Sequence, residues 1–132
     1  MIRICCLFLT LAILSACAST SGIALQGGET AQSSLQVDNE GMARRVTLSL
    51  QQQVRKQDRL QLAVNMKSHI AYDQTLQYRV DWFDEMGMPV EPDSGHWQPL
   101  VLHGGEQKVI QAVALLPSAT TFRFSLRDVV KD

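Results

Sequence analysis

Residues 76–87, Leu-Gln-Tyr-Arg-Val-Asp-Trp-Phe-Asp-Glu-Met-Gly, constrain this chain more than any other stretch. Leu76, Tyr78, Val80 and Trp82 occupy every second position, and Gln77, Arg79 and Asp81 stand between them. A period of two puts the four apolar side chains on one face of a strand and the three polar ones on the other. The segment reads as a strand buried on one side. Its tryptophan sits at the end of the buried face, where a large ring can pin two sheets together. Asp84-Glu85-Met86-Gly87 reads as the turn that ends it, with glycine supplying a positive φ.

The same period recurs along the chain. Val46, Leu48 and Leu50 alternate with Arg45, Thr47 and Ser49. Leu60, Leu62, Val64 and Met66 alternate with residues such as Gln61, Asn65 and Lys67. Phe122, Phe124 and Leu126 face one way, and Arg123, Ser125 and Arg127 face the other. Residues 97–102 form a further strand. Residues 108–116 are apolar on both faces, as expected of a central strand. Residues 55–58, 93–96 and 103–106 are turn clusters, and the two prolines of residues 88–92 confine that piece to an edge or a loop. Short strands, frequent turns and no helical period predict an all-β fold, an immunoglobulin-like antiparallel β-sandwich of about seven strands over residues 41–132. Trp82 is expected to be its most costly single truncation.

The N-terminus has a different character. Arg3 is followed by the nearly unbroken apolar run 4–13 and then by Leu14-Ser15-Ala16-Cys17. A charged start, an apolar run too short to span a bilayer and small residues before a cut describe a secretory signal over residues 1–16. Leu-Ser-Ala-Cys resembles the lipobox of bacterial lipoproteins, which implies that Cys17 carries lipid and becomes the first mature residue. Cys5 and Cys6 then leave with the signal, and the mature chain has no thiol for a disulfide, a thiolate metal site or a nucleophile. Residues 18–35 are small, polar and glycine-rich, and 17–40 are expected to be a flexible linker behind the lipidated cysteine. A coil of that length reaches roughly 25 Å. No aspartate follows Cys17 directly, and the resemblance to enterobacterial sorting rules implies the outer membrane, with the head in the periplasm.

Loss of Arg3 with the signal leaves 11 basic and 13 acidic residues, from 12 and 13 in the whole chain. So balanced a surface gives no nucleic-acid footprint. His69, His96 and His103 each stand alone near a turn, with no ligand motif beside them, so no metal site is expected. The carboxylates at 81, 84, 85, 91 and 93 match no calcium loop, and Asp81 is expected to pair with a cation, with Arg79, Arg59 or Arg123 available. There is no Gly-x-Ser-x-Gly elbow and no phosphate loop. The residues thus name no catalytic group and no cofactor. Gln77, Arg79 and Asp81, the polar face of the opening strand, are the candidate interaction face.

Leu76 to Asp84, then Gly87, Trp97-Gln98-Pro99-Leu100, Ala112-Val113-Ala114 and Phe122-Arg123-Phe124 together resemble the YcfL-type periplasmic lipoproteins of proteobacteria, over roughly residues 42 to 128. Leu115 and Leu116 depart from the pattern, since they separate Ala114 from Pro117. The resemblance implies a lipid-anchored immunoglobulin-like sandwich encoded near a lipoprotein that activates a peptidoglycan synthase. It carries no catalytic residue. The expectation is a non-enzymatic, lipid-anchored envelope protein that serves as an adaptor or binding module for an envelope or cell-wall-assembly component, with a protein of the cell envelope as its partner. The alternative is a periplasmic lipoprotein that binds a small ligand or a metal, with His96 and His103 the residues to change.

Overall fold

In a computed structural model, which describes residues 22–92 and 95–129, nine strands and one short helix follow one another. They are β1 (Ile23–Gly28), β2 (Ala31–Val37), α1 (Glu40–Arg45), β3 (Val46–Lys56), β4 (Arg59–Ser68), β5 (Gln74–Phe83), β6 (Pro89–Val90), β7 (Gln98–Leu102), β8 (Gln107–Val113) and β9 (Thr121–Asp128). Every pairing is antiparallel. The larger sheet runs β2-β1-β9-β5-β6, with β7 also on β5, and the smaller runs β3-β4-β8. The fold is an antiparallel β-sandwich.

β5 is the hinge of the larger sheet. Along one edge it pairs with β9, from Leu76–Asp128 to Phe83–Thr121. Along the other it pairs first with β7 and then with β6. Leu76 and Trp82 are buried, and Tyr78 and Val80 pack half-buried against the core. The Tyr78 ring stacks on Phe124 with centroids 5.5 Å apart. The core joins these residues to Phe122, Phe124 and Leu126 of β9 and, from the smaller sheet, to Val46, Leu48, Leu60, Leu62, Val64 and Met66. The apolar sets of β3, β4, β5 and β9 therefore face inward as their alternation requires.

Residues 23–37, within the expected linker, are instead the β1–β2 hairpin. Ile23, Ala24 and Leu25 are buried at 2–4% exposure, and β1 completes the far side of β9. The sandwich begins at Ile23 and not at residue 41, which together with the short β6 raises the strand count above seven. At the border between the expected linker and the sandwich, residues 40–45 form the helix α1. Asn39 caps it by accepting a hydrogen bond from the Met42 amide at 3.1 Å, and Met42 is fully buried. Arg45 at its end forms an ion pair with Asp128 at 2.7 Å and donates to the buried Gln74 at 2.9 Å.

β8 is an edge strand and not a central one. Among the described residues it pairs only with β4, and Val109 and Val113 point outward at 42% and 48% exposure. Its two-sided apolar character belongs to an uncovered edge. Residues 55 and 56 also belong to β3. A bulge between Leu50 and Gln52 shifts the register, so that Val54 turns outward and Arg55 inward. The hairpin turn is Gln57-Asp58, both with positive φ (53° and 61°), as a two-residue turn of this hand requires. The re-aimed Arg55 donates to Glu29 at 2.8 Å and to the carbonyls of Pro117 and Ala119 at 3.1 and 2.8 Å, tying the β1–β2 turn to the opposite sheet. That hydrogen bond, and the Arg55 charge behind it, hold the Glu29 carboxyl below its ordinary value against the opposing effect of burial.

Candidate binding face on the larger sheet

Pairing of β5 with β9 aligns their polar faces. Gln77 stands beside Arg127, Arg79 beside Ser125, and Asp81 beside Arg123. The three residues singled out in the sequence thus share one outer face with two further arginines. Asp81 finds its cation two residues back on its own strand. Arg79 Nε donates to Asp81 Oδ1 and Oδ2 at 2.9 and 3.1 Å, so both carboxylate oxygens are engaged. Arg127 Nε donates to Gln77 Oε1 at 2.9 Å. Arg59, the other cation considered for Asp81, belongs to β4 of the smaller sheet.

The segment before β7 closes over this face. The guanidinium of Arg127 lies 3.8 Å from the Trp97 ring centroid and that of Arg79 lies 5.9 Å from it. Both are within cation–π range. Gly95 passes so close that a Cβ there would stand 2.7 Å from Asp81 Oδ1, so any larger residue would have to push the Asp81 carboxylate aside. Ala24 and Ser125 carry short side chains between the longer Arg79, Arg123 and Trp97, and that step in height leaves a hollow of about 280 Å³. Asp38 and Asp81 also line it.

Arg123 differs from its neighbours. Its Nε is buried and has no hydrogen-bond acceptor among the described residues. Asp81, opposite it in register, is already taken by Arg79.

A family model described as a protein of unknown function, DUF1425, matches residues 33–128. The chain belongs to the DUF1425 family. A DUF1425 family member from Shewanella sp. PV-4 superposes with a TM-score of 0.59 at 23% identity, over 87% of this chain and 95% of that chain. Campylobacter jejuni cj0090 superposes with a TM-score of 0.54 at 20% identity, over 65% and 88%. Likeness at these identities is one of fold. No curated protein matches the chain. The DUF1425 match contains Arg79, Asp81, Trp97, Arg123 and Arg127, whereas β1, which lines the hollow through Ile23 and Ala24, precedes it.

The remaining sequence candidates fall elsewhere on this DUF1425 sandwich. His96 and His103 flank β7 at its opposite ends, so they do not converge. His103 faces Asp73 at 3.1 Å, and His69 shares a hydrogen bond with the Thr47 hydroxyl. Asp84 caps its own turn by accepting from the Met86 and Met88 amides, each at 2.9 Å, and Gly87 has a φ of +77°. Cys17 and residues 1–16 lie outside the described residues. Among the described residues no helix is long and apolar enough to cross a membrane.

Proposed function

We propose that this protein is a non-enzymatic, lipid-anchored binding module of the cell envelope. A lipid on Cys17 holds it at the outer membrane with its head in the periplasm. The outer face of β5 and β9 meets a protein partner in cell-wall assembly. The observation that carries this reading is Trp97 held on Arg127 beside the Arg79–Asp81 pair. Tryptophan and arginine are the side chains that concentrate binding energy at interfaces. Here they restrain one another before any partner arrives, which lowers the ordering cost of association.

The anchor is supported by Leu14-Ser15-Ala16-Cys17 after an apolar run and by the resemblance to YcfL-type lipoproteins. Five residues, 18–22, separate Cys17 from β1. At roughly 3.5 Å per residue they reach about 18 Å at most, so a lipid on Cys17 keeps the sandwich close to the bilayer. Gly22 lines the hollow, which brings the proposed face near the anchored end. The partner is therefore one that works near the membrane surface.

Metabolic labelling with palmitate tests the anchor: label on the native chain and none on Cys17→Ser is expected, and an unlabelled native chain would overturn it. Crosslinking from the outer face of the larger sheet in intact cells, followed by mass spectrometry, tests the binding role. Turnover of muropeptides or glycan strands by the purified chain would contradict the non-enzymatic reading. The hollow itself favours a second reading, a carrier of a small polar ligand, which native mass spectrometry of purified protein distinguishes.

A further inference from the structure

We infer that the hollow between Arg123, Ser125, Ala24 and Trp97 is a carboxylate-binding site in which Arg123 supplies the recognising cation. The inference rests on the binding-module reading and names the chemistry of the ligand it takes.

The cations of this face are not equivalent. Arg79 is committed to both oxygens of Asp81, and Arg127 to Gln77 and the Trp97 ring. Arg123 is half-buried, lines the hollow, and keeps a buried Nε for which the described residues offer no acceptor. A partly desolvated cation without an acceptor is costly, and an anion seated at its outer Nη groups offsets that cost through its charge. The outer edge of a guanidinium, made by its two Nη groups, matches a planar carboxylate with two parallel hydrogen bonds. Ser125, on the same face two residues along, adds a hydroxyl donor, and the Trp97 ring gives an apolar wall for the carbon chain behind the carboxylate.

Charge and size narrow the ligand further. Among the lining residues Arg79 and Arg123 balance Asp38 and Asp81, and Arg127, stacked on the Trp97 ring, adds one positive charge. That balance suits a monoanion and leaves a dianionic phosphate monoester under-neutralised. A hollow of about 280 Å³ is at the small end for ligand sites and fits the end of a molecule, such as a peptide C-terminus or a small organic acid.

The test uses the chain from residue 17 onward with Cys17→Ser, which keeps every described strand. The Arg123 Nε–H and Trp97 indole N–H resonances are followed by NMR during titration with N-acetyl-alanyl-alanine, its C-terminal amide, acetate, and vesicles of anionic phospholipid. Saturable shifts of both resonances with the free acid are expected. Binding should weaken at least tenfold on amidation and on Arg123→Gln, with partial retention by Arg123→Lys. An unchanged amide spectrum elsewhere checks the fold of each variant, and Trp97→Phe gives a second variant that keeps the wall. Tighter binding of the peptide than of acetate identifies a peptide terminus, and equal binding identifies a free acid. The inference is overturned if the amide binds as well as the acid, if Arg123→Gln binds like the native chain, if vesicles bind in place of the carboxylates, or if nothing shifts. Should nothing shift while in-cell crosslinks from the same face persist, only the carboxylate assignment falls. Loss of both removes the binding-module reading as well.

Discussion

Arg127 lies over the Trp97 ring, its guanidinium carbon 3.8 Å from the ring centroid. The contact joins β9 to the segment that leads into β7, two pieces far apart in sequence that meet only because β5 pairs with both. A double-mutant cycle of Trp97→Ala and Arg127→Ala, read by urea melts, should give a coupling of about 0.5–2 kcal/mol. Additive losses would show that the ring and the cation do not restrain one another.

The β1–β2 hairpin is part of the core. Ile23 and Leu25 are 2% and 4% exposed, and burial of each contributes about 2 kcal/mol. A chain truncated to begin at Asp38 should lose cooperative thermal unfolding, while one that begins at Gly22 should keep it. Equal melting midpoints for the two would return residues 23–37 to the role of a linker.

Glu29 gives the sandwich a specific acid sensitivity. Hydrogen bonding from Arg55 holds its folded-state pKa below the ordinary value of 4.5. A group lowered in this way stabilises the fold fully above its unfolded pKa, and the contribution is lost as pH falls through the folded value. Acidification from neutral pH should therefore cost the native chain more stability than it costs Glu29→Gln, by urea midpoint. Parallel acid profiles for the two would remove the Arg55–Glu29 pair from the account.

Trp82 is 6% exposed at the end of β5's inner face. Trp82→Ala should lose about 3–5 kcal/mol. Val54→Ala, at a position the β3 bulge turns to solvent, should stay within about 0.5 kcal/mol. A native-like melt for Trp82→Ala would mean that β5 is misregistered.

Legibility followed apolar contrast. β5 and β9 alternate cleanly between large apolar and polar side chains, so their inner faces and the outward set Gln77, Arg79, Asp81, Arg123 and Arg127 could be read residue by residue. Which strands pair could not, because pairing is non-local, and so the convergence of those five residues was hidden. β1 offers a short Ile-Ala-Leu segment before two glycines, and β2 is exposed along its whole length, which gives the composition of a linker. β8 shows that a strand apolar on both faces need not be central: an uncovered edge carries the same pattern. The signal missed for Trp97 lay in its neighbour Gly95, which only the packed structure shows to be in contact with Asp81.

The claim that the outer face of the larger sheet is where this protein works is tested most directly by photo-crosslinking in intact cells. One photoreactive residue replaces Pro99, exposed and paired with Gln77 across β5 and β7, and another replaces Ser49, exposed on the outer face of the smaller sheet. The prediction is a discrete adduct from position 99, none from position 49, and loss of the first when Trp97→Ala is added. Equal adducts from both sheets, or none from position 99, would contradict it.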